Sequence, residues 1–238
     1  NGWEFSVEGY YKDMRNVLEY KDGVSFFGSS SGWENKVEMG KGRSAGIEFM
    51  AQKTAGKTTG WLSYTLSKSD RKFTKGGINN GEWFPYKYDR RHSINLTINH
   101  KFSDRIDIGA SWVFYTGGTS TIPEEKTTVI RPHNGANNGF LWYGTYDNTN
   151  SSPTIGDVSY IEHRNNFRLP ASHRLNLGVN FNKKTKHGMR TWNISLYNAY
   201  NAMNPAWVYR GHNKQGLSVI KKYTLLPLIP SFTYTYKF

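Results

Sequence analysis

The sequence predicts an all-β chain, the wall of a transmembrane antiparallel β-barrel with about eight strands. Three observations carry that reading. Apolar and polar side chains alternate with period two over most of the chain. Aromatic residues are abundant, with 13 Phe, 8 Trp and 16 Tyr in 238 residues, although only 37% of the chain is hydrophobic. The connections alternate between short and long. Period two sends successive side chains to opposite faces of a strand. So many rings are foreign to a disordered chain. A membrane-spanning helix needs about 18 consecutive apolar residues, and the longest apolar stretch of that kind is Leu225-Leu226-Pro227-Leu228-Ile229, so helical spans are excluded. The absence of cysteine removes disulfide frameworks and thiolate metal sites.

Strands are expected at about 2–14, 41–54, 57–68, 91–102, 105–117, 172–183, 189–210 and 217–238. The first opens on the alternating run Trp3-Glu4-Phe5-Ser6-Val7. Ala45–Gln52, Trp61–Lys68 and Ile106–Tyr115 alternate less regularly. In the fourth, Ile94, Leu96, Ile98 and Phe102 oppose Ser93, Asn95, Thr97, Asn99 and Lys101. In the sixth, Leu175, Leu177, Val179 and Phe181 oppose Arg174, Asn176, Gly178 and Asn180. Trp192, Ile194 and Leu196 mark the seventh. The eighth sets Phe232, Tyr234, Tyr236 and Phe238 against Ser231, Thr233, Thr235 and Lys237.

Short connections fall at Ala55-Gly56, Ser103-Asp104 and 184–187. Long ones, rich in Gly, Asn, Ser and Trp, fall at about 15–40, 69–90 and 118–171. Short turns at one end and long loops at the other is the outer-membrane pattern, with the turns in the periplasm. A soluble sandwich also alternates, but its loops need not sort by end. The polar face suits a lumen, with Glu4, Glu8, Glu48, Lys68, Lys101, Arg174 and Lys237 as its long charged members. An eight-stranded barrel that closes on itself, with an interior just wide enough for side chains, is the alternative. The chain opens on Asn1 inside an alternating run, with no charged segment and no apolar core of a signal peptide before it. It reads as a piece of a longer protein.

Enzyme motifs fail on inspection. Gly56-Lys57-Thr58 resembles the end of a phosphate loop, but the required first glycine is Ala51. Gly40-Lys41-Gly42-Arg43-Ser44-Ala45 fits a dinucleotide fingerprint only by letters, since a strand follows where a helix is needed. The seven histidines, at 92, 100, 133, 163, 173, 187 and 212, lack zinc-ligand spacing. No metal, cofactor or catalytic residue is expected. The Asn95 and Asn193 sequons sit mid-strand. A net charge of +13 invites a nucleic-acid reading. The basic residues are spread over loops and turns, however, where contacts to lipid phosphates serve them better.

Three segments add a family. Tyr88-Asp89-Arg90-Arg91-His92 opens a descending strand. Asn198-Ala199-Tyr200-Asn201-Ala202-Met203-Asn204-Pro205 lies in the next-to-last strand, and Leu226-Pro227-Leu228-Ile229-Pro230-Ser231-Phe232 leads into the last. In this order they resemble the C-terminal barrel region of TonB-dependent outer-membrane receptors, of the Bacteroidota type with a carboxypeptidase-regulatory-like extension or SusC-like. The resemblance implies that residues 1–238 are the last eight strands of a 22-stranded barrel, with the plug domain absent from this chain. It implies ligand uptake across the outer membrane, TonB acting through the absent plug, and the barrel-assembly machinery, outer-membrane lipids and lipopolysaccharide, and a surface lipoprotein as partners. The competing function is a structural one, a barrel fragment or small stand-alone barrel that serves as a substrate of the assembly machinery.

Two sets of residues are singled out. Phe232, Tyr234, Tyr236 and Phe238 form the expected assembly signal, with an interfacial aromatic girdle as the plainer role. Phe140, Trp142, Tyr143, Tyr146 and Tyr160, in the longest loop among many Asn and Gly residues, are the candidate ligand or lid aromatics. Packing of the loop on its neighbours is the plainer role there. Loops beyond roughly 12–15 residues are usually functional or disordered.

Overall fold

The computed structural model describes residues 2–21, 32–74, 77–130, 145–147 and 150–238, with the strand residues 125–130, 145–147 and 150–159 as backbone only. Its strands are β1 (Trp3–Tyr20), β2 (Val37–Lys53), β3 (Thr58–Lys72), β4 (Phe84–Pro85), β5 (His92–Lys101), β6 (Ile106–Tyr115), β7 (Thr119–Ser120), β8 (Glu125–Ile130), β9 (Thr145–Asp147), β10 (Asn150–Tyr160), β11 (Phe167–Arg168), β12 (Ser172–Thr185), β13 (Gly188–Tyr197), β14 (Pro205–His212), β15 (Ser218–Thr224) and β16 (Ile229–Lys237). Among the described residues there is no α-helix, only short 3-10 turns at Trp33–Lys36 and Asn79–Gly81.

One large antiparallel sheet runs β1-β2-β3-β5-β6-β12-β13-β16, strictly in chain order, with β4 paired to β3 beside it. Each neighbour along this path is the next wall strand, so the sheet is a meander. Its three tight turns, 54–57, 102–105 and 186–187, share one end. The connections 21–36, 73–91, 116–171 and 198–228 share the other. Among the described residues β1 pairs only with β2 and β16 only with β13, so these are the two edges.

Register separates the faces as the alternation predicts. Leu62, Leu96, Trp112 and Leu175 form one row across β3, β5, β6 and β12, and Leu177, Leu196 and Pro230 form another. Asn95, Thr97, Asn176 and Asn180 fall on the opposite face. There, amides bond across strands: Asn176 Nδ2 donates to Ser111 Oγ (3.1 Å), Asn180 and Asn182 donate to the Asp107 carboxylate (2.7 and 2.6 Å), and Asn193 donates to Asn180 (2.7 Å). Such cross-strand pairs are the unit of sheet stabilisation. The apolar face is bare, with Phe5 66%, Val7 70% and Phe232 64% exposed. Apolar patches this extended mark a membrane or partner surface rather than a water-facing one.

The fully buried apolar residues among those described are Phe73, Ile78 and Phe84, with Val17 packed against them. This small core lies at the long-connection end, not within the wall. Phe84 is therefore a core ring.

The structure corrects several sequence expectations. The strands expected at 189–210 and 217–238 are each cut in two. Wall strand β13 ends at Tyr197, and β14 and β15 form a separate hairpin above the wall. The breaks coincide with Asn198, Asn201 and Leu226 at φ 53°, 53° and 57°, a left-handed conformation that interrupts a ladder. A fourth long connection, 198–228, thus joins the three expected. The loop expected at 15–40 shrinks to 21–36. Lys68 pairs in register with Ala45, two residues from Leu66 opposite Ile47, and so lies on the apolar face rather than the lumen face.

Candidate functional site

The long-connection end is where the chain places its buried polar groups. Gly40 opens the space: a Cβ there would meet the Lys72 carbonyl and the Phe73 ring, each at 2.4 Å. Phe73 therefore folds over β2 and brings the segment 73–84 with it. Asn79 and Asn80 turn that segment at positive φ, which Asn tolerates better than most residues.

Asp89, from the Tyr88–His92 motif, is the centre of this end. Its side chain is fully buried. Arg168 Nη2 reaches its carboxylate at 2.6 Å, Arg91 Nε at 3.1 Å, and the Ser69 amide donates to its other oxygen at 2.7 Å. Arg168 Nη1 also donates to the carbonyls of Asp89 and Gly117. A buried carboxylate is tolerated only when paired and hydrogen-bonded, and here every contact meets that condition. Arg168 lies at the returning foot of the connection 116–171, so this knot ties that foot to the segment 73–91 and to β3. Gly117 and Gly118 allow the approach: a Cβ would stand 2.0 Å from the Leu169 carbonyl in the first and 2.4 Å from the Lys87 carbonyl in the second.

Arg164-Asn165-Asn166 forms a strap beside the knot. The Arg164 amide donates to Asn79 Oδ1 (2.7 Å), and its guanidinium reaches the Tyr20 carbonyl and Glu19. Asn165 Nδ2 donates to the Pro85 carbonyl (2.7 Å), while Asn166 exchanges hydrogen bonds with the backbone of Ile122. The foot of the longest connection is thereby fastened to β1, to β4 and to its own outgoing limb.

The segment Asn198–Pro205 makes the fourth corner. The Asn198 amide donates to Asn176 Oδ1; Asn198 Nδ2 donates to the carbonyls of Ala202 and Leu226, and its Oδ1 accepts from the Ala202 amide. Asn201 Oδ1 accepts the Leu228 amide, and Asn204 brackets His173 through both backbone groups. Two of the sequence motifs thus have the same physical task, which is to satisfy backbone where a strand turns into a loop.

Between this corner and the strap lies an open cleft of about 360 Å³, lined by Ile122, Glu124, Asn166, Arg210 and Ile220 among others. Arg210 crosses it, donating to Ser218 Oγ (2.8 Å) and to the Pro123 carbonyl (3.2 Å). On the other face of the same hairpin, since Trp207 and Arg210 stand three residues apart on β14, Trp207 and Tyr223 stack at 4.3 Å and are about half exposed. Stacked, solvated rings suit a planar or sugar-like ligand. This platform escaped the sequence reading, which assigned 205–210 and 217–224 to wall strands; the Asn213-Lys214-Gln215-Gly216 turn, with Trp207 and Tyr223 at similar distances on either side, is a hairpin signal that could have found it.

The singled-out residues fare differently. Phe140, Trp142 and Tyr143 lie outside the described residues, and so does the side chain of Tyr146. Tyr160 ends β10 and is 54% exposed. Phe232, Tyr234 and Tyr236 line the apolar face of edge strand β16, with Phe232 and Tyr234 against Trp192 (5.1 and 4.5 Å) and Phe238 wholly exposed. The described residues hold no cluster of three potential metal ligands. At the opposite, short-turn end, Asp104 is fully exposed. A hydrogen bond from Lys101 at 2.8 Å, then the charges of Lys101 and Lys184, hold its carboxyl below the usual range.

The family profile described as "TonB dependent receptor-like, beta-barrel" matches residues 1–202. No curated protein matches the chain. Among solved structures it is similar to the ferric-catecholate import receptor Fiu from E. coli K12 in its closed form, with 14% identity and a TM-score of 0.47. That match covers 98% of this chain and 25% of the receptor, so the chain spans about a quarter of the receptor's length.

Proposed function

We infer the function from the premise that this chain belongs to the TonB-dependent receptor-like β-barrel family, a family of outer-membrane transport receptors: it supplies wall and outer loops to a receptor that takes up a ligand. The observation that carries the reading is the sorting of connections, tight turns at one end and all four long connections at the other. In outer-membrane barrels the first end is periplasmic and the second extracellular. The apolar face then meets lipid and the amide face the lumen.

The chain forms the last eight strands of a 22-stranded barrel. Two features support this. Both β1 and β16 are unpaired edges among the described residues, and such edges are normally paired or covered. Glu8 and Glu48 stand directly opposite on the lumen face, a destabilising pair that a filled lumen would compensate. A plug domain, supplied by sequence outside this chain, fills that lumen and transmits the pull of TonB. The Bacteroidota type and a surface-lipoprotein partner rest on the motifs and belong to the same proposal. Ligand is captured in the outer loops, with the Trp207–Tyr223 stack, the Arg210 cleft and the aromatics Phe140, Trp142, Tyr143, Tyr146 and Tyr160 as its candidate contacts. Phe232, Tyr234, Tyr236 and Phe238 present the final strand to the assembly machinery.

Two experiments test this. Cysteine scanning with a membrane-impermeant reagent should label Asn176→Cys through the lumen and spare Leu177→Cys; equal labelling would remove the face assignment. Sequencing the gene upstream of the Asn1 codon should reveal a plug-coding segment, whereas a signal peptide immediately before Asn1 would replace the receptor with a small self-closing barrel.

A further inference from the structure

We propose that the outer rim of the lumen face recognises an anionic ligand: Arg71, Arg90 and Arg174, each stacked on a tyrosine, take a small molecule bearing two or more carboxylate or phosphate groups. This rests on the receptor function inferred above and adds the class of ligand. Four arginines at the long-connection end each meet a carboxylate: Arg43 on Asp70, Arg91 and Arg168 on Asp89, and Arg164 on Glu19. Arg71, Arg90 and Arg174 have no ion pair among the described residues. Their guanidiniums lie over ring faces instead, Arg71 over Tyr86 at 4.1 Å, Arg90 over Tyr115 at 3.9 Å and Arg174 over Tyr197 at 4.3 Å.

Stacking occupies the face of a guanidinium and leaves its N–H groups, which lie in the plane, directed along the edge. That edge matches the oxygens of a carboxylate or phosphate two at a time. A side chain held against a ring also has less rotamer freedom to lose on binding. The chain's own acceptors leave these donors short. Arg71 Nη1 donates to the Asp70 carbonyl at 3.3 Å. Arg174 Nη1 donates to the Tyr197 hydroxyl, while Arg174 Nε is buried with no hydrogen-bond partner among the described residues. Buried donors are normally satisfied, so an acceptor arriving at this edge removes a deficit.

Position selects the ligand. Arg174 is two residues from Asn176, Tyr115 is four from Ser111, the partner of Asn176, and Arg71 is eight from Ser63, which faces Asn95, so all three stacks share the lumen face. Gly42 gives Arg71 its room, since a Cβ there would come within 2.3 Å of Nη1. Tyr115 and Tyr197 end β6 and β13, Arg174 is third in β12, and Arg71 is next to last in β3. The stacks therefore stand at the mouth of the lumen. Tyr115 pairs with Ser172, which makes Arg174 its diagonal neighbour, about 7–8 Å away. Arg90 on that ring and Arg174 beside it can hold two anionic groups of one small molecule. A carboxylate of the plug is the other acceptor a lumen offers. The mouth, however, is where a solute arrives first, and clustered cations there raise the local concentration of anions. A neutral glycan would gain nothing from three unneutralised guanidiniums.

The test is isothermal titration of the full-length receptor, purified in mild detergent, with citrate, tripolyphosphate and neutral maltotriose. At least one of the two anions should bind, and the tighter of them sorts carboxylate from phosphate. Arg90→Gln with Arg174→Gln should weaken that probe by about tenfold per arginine, as the loss of charge-assisted hydrogen bonds implies. Arg90→Lys with Arg174→Lys should recover little, because an ammonium has no fork and stacks less well. Lys57→Gln with Lys186→Gln, altered at the short turns, should bind normally. Normal binding by the glutamine variant, full recovery by the lysine variant, or no binding of either anion by the wild type overturns the site. Unchanged titrations together with a plug released at lower urea concentration would assign the arginines to plug carboxylates instead. Labelling of Lys214→Cys on intact cells checks the receptor orientation separately. An inaccessible hairpin would place this rim on the periplasmic side and end the receptor reading, whatever the titrations give.

Discussion

The two ends of this wall are built on different physical terms. At the short-turn end, strands are joined by two to four residues and the ladder itself holds the geometry. Its ionic contact, Lys101 with Asp104, is fully solvated. At the long-connection end, fifty-odd residues of loop return to the wall through a handful of side chains, and the central one, Asp89, is fully buried. Two aspartates, both paired with cations, therefore have opposite importance. One sits where backbone already decides the structure, and the other replaces backbone pairing that the loops lack. The lesson is that single side chains matter in proportion to how little ladder surrounds them.

The largest effect expected from this contrast is at Asp89. Asp89→Ala leaves Arg168 and Arg91 facing each other around an emptied site and frees the Ser69 amide. Breaking a buried charge pair from one side costs about 3 kcal/mol or more. The loop foot should come loose while the wall persists. Limited proteolysis of the reconstituted protein should then cut between 160 and 171, with tryptophan-monitored wall unfolding little changed. Unaltered protease resistance would show that the knot is redundant.

Next is Gly117→Val, which drives a branched side chain into the Leu169 carbonyl. Overpacking of this kind costs about 1–3 kcal/mol. Proteolysis should resemble that of Asp89→Ala but be weaker, and Gly9→Ala, within β1 with open space around it and no positive φ, serves as the counterpart in the wall. Asn198→Ala should fall in the same range. It deletes three side-chain hydrogen bonds, including the one that holds the Leu226 carbonyl, at about 1–3 kcal/mol for groups left unsatisfied. Its readout is local: faster hydrogen exchange at Ala202 and at Leu228, whose partner Asn201 sits in the same corner.

How much of this was legible follows the same division. The wall was, because period two is imposed by the pleat at every residue, and putting Leu62 and Leu96 on one face and Asn180 and Asn193 on the other needed only the alternation. The loop end was not. The Tyr88–His92 motif stood out as a family mark, but nothing in its letters says that Asp89 meets Arg168, 79 residues away. Nor could alternation detect that Asn198 and Leu226 adopt positive φ, so β13 was read straight through into the hairpin. Lys68 failed for a related reason. Above the hydrocarbon the apolar–polar code lapses, because water and headgroups are polar on both sides of the sheet, so the charge of Lys68 hid what counting in twos from Leu62, Tyr64 and Leu66 gives, a place on the outer face. Long-range polar contacts and faces without a solvent contrast leave no periodic signature.

Phe238 offers a smaller effect on the folded protein. Its ring is fully exposed at the end of an edge strand, so Phe238→Ala should leave the denaturant midpoint nearly unchanged, well short of the roughly 3–5 kcal/mol of a buried Phe→Ala change. Membrane-inserted yield should nevertheless fall, because an unpaired edge on an unfolded intermediate has aggregation as its alternative. Normal yield with a lowered midpoint would make the terminal rings a girdle only.

The smallest effect is expected at Asp104, and it sharpens the comparison from the other side. Asp104→Asn removes the 2.8 Å bond from Lys101, but both groups are solvated and exposed ion pairs contribute little. The turn keeps its shape without them: the Phe102 and Ser103 amides donate to the Ile106 carbonyl, and Ser103 Oγ accepts from the Arg105 and Ile106 amides. The sign of the pH effect is nonetheless defined. Lys101, first through its hydrogen bond and then through its charge, lowers the folded-state pKa of Asp104. The pair therefore favours the folded state at pH values above the ordinary Asp pKa, and that contribution disappears as pH falls through the lowered value. Proton exchange at the Ile106 amide, compared between wild type and Asp104→Asn from pH 7 downward, should show a slight difference that vanishes in acid. If the variant instead shifted the unfolding midpoint as far as Asp89→Ala, the short-turn end would depend on its side chains after all, and the division between the two ends would be wrong.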